Sequence, residues 1–186
     1  MEKRAYGFVP YNISGRQAGI QFGHAKDEYN IAYGQDEMYL DWLNNWKTYV
    51  ILNGGTSNLG NKEFGDYGIG SMEKYEQTLR NRGIKYAVFH EPDLNWMTSG
   101  IFFLVDERVF NTKLYPDFEL KLGSTDRFGN TREQKIYDIA TDTFCDIVFE
   151  SEDEKEAYSK WVNDVIGGRE NLFLRYFLRS FELAKN

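Results

Sequence analysis

The sequence predicts an α/β fold: a mixed four-stranded sheet flanked by helices, followed by a mostly helical C-terminal extension. Three observations lead there. Strand-like and helix-like segments follow one another as β-α-α-β-α-β-β over residues 1–110. Hydrophobic residues make up 41% of the 186 and aromatics 17%, enough for a substantial core. After Phe110 the character changes, and a connection broken by Pro116, Gly123 and Gly129 leads into three helix-like stretches. The expected division is residues 1–110 as an α/β domain and 111–186 as a helical extension packed on it.

Each element has a local reason. Residues 4–9 interleave Tyr, Phe and Val with small residues, a strand pattern. Ser14-x-x-Gln17 is a capping box, so a helix starts there and runs to about Tyr33. Ala18, Phe22, Ala25, Tyr29 and Ala32 recur at helical spacing as its buried stripe. Residues 37–45 form a shorter helix with Tyr39, Trp42 and Leu43 inward. Residues 47–52 read as a buried strand ending in the turn Asn53-Gly54-Gly55-Thr56. Residues 58–70 are Gly-rich loop. Ser71 opens a helix that Gly83 stops. Residues 86–89 and 98–105 complete the strands. In the extension, residues 131–146, 152–166 and 169–185 are expected helices, with Gly167-Gly168 parting the last two. Leu172, Phe173, Leu174, Tyr176, Phe177, Leu178 and Phe181 make the last helix apolar nearly all round. Such a helix is either buried against Tyr158, Trp161, Val162 and Val165 or docked on a partner.

Composition excludes several classes. Against 22 Lys+Arg stand 29 Asp+Glu, a net charge of −7, which argues against a broad nucleic-acid surface. A polyanion partner would need a small concave site. No apolar run approaches the roughly 18 residues of a membrane span, so no membrane partner is expected. Residues 1–14 are polar and broken by Pro10, unlike a secretory leader. The single Cys145 makes no internal disulfide, which with the missing leader points to the cytoplasm. Beside Asp146, Cys145 reads as a packed bystander rather than a nucleophile. Two histidines and one cysteine, without HxxxH or CxxC, predict no metal site, and no cofactor motif is present. Gly54-Gly55-Thr56 reads as a turn rather than a phosphate cradle.

Two loci can carry chemistry. Gln17, Gln21, His24 and Glu28 line one stripe of the first helix, bordering its buried stripe, where a cleft wall would lie. The plain structural account of the same residues is a solvated face with one capping Gln. The second locus is His90-Glu91-Pro92-Asp93-Leu94-Asn95-Trp96-Met97-Thr98, a loop held between two strands. Pro92 ends the first strand sharply. An Asx turn from Asp93 or Asn95 would account for the loop without any function.

At these loci the sequence resembles the type II (archaeal/eukaryotic-type) peptidyl-tRNA hydrolases. Gln21-Phe22-Gly23-His24-Ala25 is similar to their Q-x-x-H-A signature on the helix after the first strand. The blocks Gln17-Ala18-Gly19-Ile20-Gln21, His24-Ala25, Glu28-Tyr29 and Phe89-His90-Glu91-Pro92-Asp93-Leu94-Asn95 with Thr98 look closest to a divergent branch common in tailed-phage genomes. The resemblance covers roughly residues 4–110. It implies hydrolysis of the ester between a peptide and the terminal ribose of tRNA. It further implies Asp93, Thr98, Gln21 and His24 as catalytic residues, and Arg16, Gln17 and Asn95 as substrate-binding. The chain departs from the family where a helix-start lysine falls on Gln17, with Arg16 about 100° round the helix. The family's D-A-G-x-T block has also lost its Ala-Gly here, and a shorter loop leads from Asp93 to Thr98, which matches the family's second Thr, at the start of the last strand. These departures keep a second reading open: a catalytically inactive relative that binds tRNA or a host protein, with a homodimer as one possible form. Arg80, Arg82 and Lys85 would be a tRNA-end clamp or merely complement a helix dipole.

Overall fold

The computed structural model describes residues 1–59, 68–119, 136–144, 147 and 149–184. Two compact units divide the chain: Met1–Glu107 with Phe181–Asn186, and Arg108–Ser180.

The first unit is a mixed four-stranded sheet in the order β2-β1-β4-β3, with β1 Lys3–Val9, β2 Thr48–Asn53, β3 Tyr86–Glu91 and β4 Met97–Asp106. β1 runs parallel to β2 and antiparallel to β4, and β3 runs antiparallel to β4. β4 is flanked on both sides and is buried from Thr98 to Asp106. Three α-helices lie among the described residues of this unit: α1 Gly15–Tyr33, α2 Glu37–Asp41 and α3 Ser71–Asn81. A π-helical turn, Trp42–Trp46, continues α2. The capping box at α1 forms, with Gln17 N donating to Ser14 Oγ at 3.3 Å and Ser14 N to Gln17 Oε1 at 3.0 Å.

Ala18, Phe22, Ala25 and Tyr29 of α1 pack against Ala5 and Val9 of β1 and Phe102 and Leu104 of β4. Tyr39 and Trp42 close this core. Ala32 is exposed, contrary to the predicted stripe; Tyr33 takes its place, stacking on Tyr29 at 4.8 Å. Two glycines make the close packing possible. A Cβ at Gly100 would lie 2.4 Å from the Gln21 carbonyl oxygen, and one at Gly7 would lie 2.7 Å from the Phe22 ring. On the other side of β1, Phe8 packs on Tyr75 of α3 at 5.3 Å and on Phe181 at 4.6 Å.

The expected buried strand at residues 47–52 is only partly so: in β2 only Leu52 is buried. β2 has β1 on one side, and residues 182–184 bond to the other. Asn53 N donates to Glu182 O at 3.0 Å and Ala184 N to Ile51 O at 2.9 Å. The predicted helix over residues 169–185 is therefore shorter: α6 is Arg169–Leu178, and the chain then returns to the sheet. The free edge of β2 and the docking of Phe181 on Phe8 and Tyr75 stabilise an extended end more than further helix would.

The second unit holds α4 Glu107–Phe110 at its boundary, a two-stranded ladder of β5 Tyr137–Asp138 and β6 Thr143–Phe144, and helices α5 Glu152–Lys160 and α6. A π-helical turn, Trp161–Ile166, follows α5. The ladder corrects the helix expected over residues 131–146. Tyr137, Thr143 and Phe144 favour strand. Asp138 also turns the chain, its Oδ1 accepting from Ala140 N at 2.9 Å, and Asp142 adopts φ 51°. The rest of that segment, Cys145 included, lies outside the described residues, as does most of the loop expected over residues 58–70. Between the last helices, Gly167 and Gly168 have φ 82° and 111°, which only glycine adopts cheaply.

Leu172, Phe173, Leu174, Tyr176 and Phe177 of α6 are buried within this unit, as is Arg175. The Arg175 side chain has no exposed surface. Its Nε donates to Asp117 Oδ1 at 2.7 Å, and its two terminal nitrogens donate to the Arg108 and Tyr115 carbonyls. All three guanidinium nitrogens thus donate, which is what makes a buried charge tolerable. Arg175→Met should cost about 3 kcal/mol, because the Arg108 and Tyr115 carbonyls lose their donor and Asp117 keeps only Arg179. The loss would be read as faster amide exchange across α6 with the first unit unaffected.

Asp36 caps α2, accepting from Met38 N at 3.0 Å and Tyr39 N at 3.3 Å, and is ion-paired with Lys85 at 2.6 Å. The hydrogen bond from Lys85, followed by those backbone amides, holds its carboxyl below the usual aspartate range. A depressed folded-state pKa stabilises above the unfolded value, about 3.9, and that stabilisation is lost as pH falls through the folded value. Asp36→Ala should lower stability by about 1 kcal/mol at pH 7. Urea melts at pH 7 and pH 2 would show the gap between the two proteins shrinking in acid.

Candidate functional site

A cleft of about 400 Å³ opens in the first unit where β1, α1, β3 and β4 end together. Its floor and walls come from short local motifs. After β1, Pro10, Tyr11, Asn12 and Ile13 lead into the α1 cap; from α1, Gln17 and Gln21 reach the cleft. After β2, Thr56 and Ser57 add two hydroxyls. Glu91 and Asp93 stand on either side of Pro92, and Met97, Thr98 and Ser99 begin β4.

Pro92 shapes the acidic edge. It opens a 3-10 turn, Pro92–Leu94, with Asp93 in it. Asn95 and Trp96 then take positive φ, 55° and 60°, and Trp96 N closes the turn on Glu91 O at 3.0 Å. Asn tolerates that region, so the strain, about 1–2 kcal/mol, falls on Trp96. The turn delivers β4 back alongside β3, where the register shifts between Phe89 and His90, a bulge of the kind found near functional sites.

Gln21 is fixed at both ends of its amide. Its Nε2 donates to Glu91 Oε2 at 2.7 Å, and its Oε1 accepts from Ser99 Oγ at 2.8 Å. Ser99 Oγ is also 3.3 Å from Phe89 O. Helix, strand end and strand start are tied in one relay. Beside it, Thr98 is 1% exposed, and its hydroxyl has no hydrogen-bond partner among the described residues. His90, paired with Thr98 across the ladder, likewise keeps Nδ1 buried and without a partner there. Two such atoms on one cross-strand pair are unusual in a folded protein.

Of the residues singled out in the sequence, Gln17, Gln21, Asp93 and Thr98 come together in the cleft. His24 does not line it; the ring is exposed and stacks on Phe89 at 4.5 Å. Arg16 and Asn95 are exposed and are not among its lining residues. Gln17 spends its side-chain oxygen on the helix cap. Sequence reasoning passed over Glu91 and Ser99 as site residues. The signals were present: Glu91 directly precedes Pro92, and Thr98-Ser99 is a pair of polar residues opening an otherwise apolar strand.

Among the described residues, no group of three or more His, Cys, Asp or Glu is placed to hold a metal ion, and no helix is long and apolar enough to cross a membrane. No protein-family model matches the chain, and no curated protein matches its sequence.

Thr98→Val removes a buried hydroxyl that bonds to nothing described and leaves its shape. The variant should therefore be as stable as the parent or slightly more so, by up to about 1 kcal/mol. Urea denaturation checks this; marked destabilisation would mean that the hydroxyl has a structural partner.

Proposed function

We propose that the chain is an ester hydrolase of the type II peptidyl-tRNA hydrolase kind, cleaving the bond between an acyl group and the terminal ribose of tRNA. The observation that carries this reading is the meeting of Gln21, Asp93 and Thr98, from α1, a strand-end turn and β4, in one cleft. These are three of the four catalytic positions implied by the resemblance.

Asp93 is exposed to solvent and fits the role of a base that takes a proton from water. The water oxygen bonds to the acyl carbon, the ester bond to ribose breaks, and the proton passes to the leaving ribose oxygen. Thr98 Oγ1 is a donor with no competing acceptor described, suited to the developing oxyanion. Gln21, with both ends of its amide engaged, acts as a positioning residue. His24, away from the cleft, has no step in this scheme.

A specific observation favours the second reading, a binding module without turnover. No lysine or arginine is among the described residues lining the cleft, and Gln17 stands where the family places its lysine. The two readings separate in one assay. With N-acetylaminoacyl-tRNA as substrate, release of free tRNA supports the hydrolase, and a gel shift without release supports the module.

Asp93→Asn should lower the hydrolysis rate by at least about 100-fold. Its thermal melt should stay that of the parent, because Asp93 is an exposed side chain without an ion pair among those described. Full activity in this variant would remove Asp93 from the mechanism.

A further inference from the structure

The sheet of the first unit has one uncovered edge. β3 ends the order β2-β1-β4-β3, and among the described residues no segment pairs with its outer side. At the opposite edge, residues 182–184 bond to β2. Natural sheets blunt a free edge with proline, with a bulge or with charges along the strand. β3 uses none of these. Residues 86–90 hold no proline and no fixed charge, and at the register shift the extra residue, Ser99, lies on β4.

The outward backbone groups follow from the inward ones. The Glu91 carbonyl accepts from Trp96 N at 3.0 Å, and the Phe89 carbonyl lies 3.3 Å from Ser99 Oγ, so both face β4. Backbone direction alternates along an antiparallel strand, which turns the amides and carbonyls of Tyr86, Val88 and His90 outward. These three are spaced evenly about Val88. A second copy of the strand, related by a two-fold axis at Val88, therefore sets Val88 against Val88 and Tyr86 against His90, each pair exchanging both its hydrogen bonds.

Charge selects the same axis. It places Lys85 opposite Glu91 of the second copy, once at each end. Both stand on the face of the sheet that carries α1, with Ala87 and Phe89 between them. Opposite charges facing each other across a strand pair attract. Moving the axis by one residue would set Glu91 against Ala87 or Gly83 instead. Lys85, with 60% of its side chain exposed, has room to reach from Asp36 to that carboxylate. The flank of α1 beside β3 is apolar in part. His24 packs on Phe89, and Ile20 and Ile31 lie within about 40° of it round the helix, 50% and 78% exposed.

We propose that β3 is the contact of a two-fold homodimer, in which the two sheets join edge to edge about Val88. The proposal stands independently of the hydrolase reading, but it bears on the cleft. Glu91 lines that cleft, so Lys85 of the second copy brings a cation to a site with none among its described lining residues.

Light scattering on the intact chain should read twice the mass of one chain and fall toward the single mass on dilution from about 100 to about 1 μM. A monomer throughout overturns the proposal. In Val88→Cys, oxidation should link the two copies through position 88, because the Cα atoms of such a pair stand about 5.5 Å apart, within the reach of a disulfide. Peptide mapping separates this link from any made by Cys145, and its absence overturns the proposal. Lys85→Glu, which sets a like charge against Glu91, should weaken the dimer at least about tenfold, and Glu91→Lys added to it should restore the affinity. A dimer unmoved by the first change, or not recovered by the second, overturns it as well.

Discussion

The approach of α1 to β4 at Gly100 is the constraint on which the first unit depends. With no side chain there, the Gln21 carbonyl comes closer to the strand than any Cβ would allow. That contact fixes the height of the helix over the sheet, and Gly7 beneath Phe22 fixes it again one strand away. The core of Phe22, Ala25, Tyr29 and Phe102 follows from that spacing. So does the reach of Gln21 to both Ser99 and Glu91. Any larger residue at position 100 would lift the helix, and the relay would open along with the core. Packing and site geometry are therefore one property here.

How much of this was legible in the sequence depended on how local its cause was. The start of α1 was readable because Ser14 and Gln17 satisfy each other within four residues. The strands of the first unit and the stop at Gly83 were readable for similar reasons. The cleft was half visible. Gln21, Asp93 and Thr98 could be named, but only contacts across seventy residues and more of chain reveal that Gln21 belongs to Glu91 and Ser99. His24 shows the limit of a shared helix stripe. It lies one turn beyond Gln21, and that turn is enough to place it on Phe89 rather than in the cleft. The extension was misread where tertiary contacts outweighed periodicity. Residues 137–144 make a hairpin because Asp138 and Asp142 supply a turn within an apparently helical pattern.

The second unit solves a different problem. Its last helix carries a charge in the middle of an apolar run, and the interior is built to receive it. The backbone carbonyls of Arg108 and Tyr115 and the carboxylate of Asp117 converge on Arg175. Arg179 shares the same carboxylate at 2.8 Å and lies over the Tyr176 ring at 5.0 Å. Burial, with the Asp117 charge adding to it, pushes the Tyr176 phenol to about 12, so that group stays neutral beside the pair. Replacing an apolar contact by a guanidinium contributes little net stability, but it specifies which residues meet. Residues 115–117 have no regular structure of their own, and Arg175 holds them.

The return of the last described residues to β2 has a consequence for the order in which the molecule can be made. Leu52 pairs with Leu183, and Phe181 seals Phe8 and Tyr75. A nascent chain emerging from the ribosome has all four strands of the sheet by Asp106, yet one flank of that sheet stays bare while the whole of residues 108–180 is synthesised. For that interval β2 is an open template for pairing with another chain. β2 carries four apolar residues in a row, Tyr49 to Leu52, so the edge that waits is an apolar one. The delay before residues 181–184 arrive is therefore the interval in which association with another chain competes with folding of this unit.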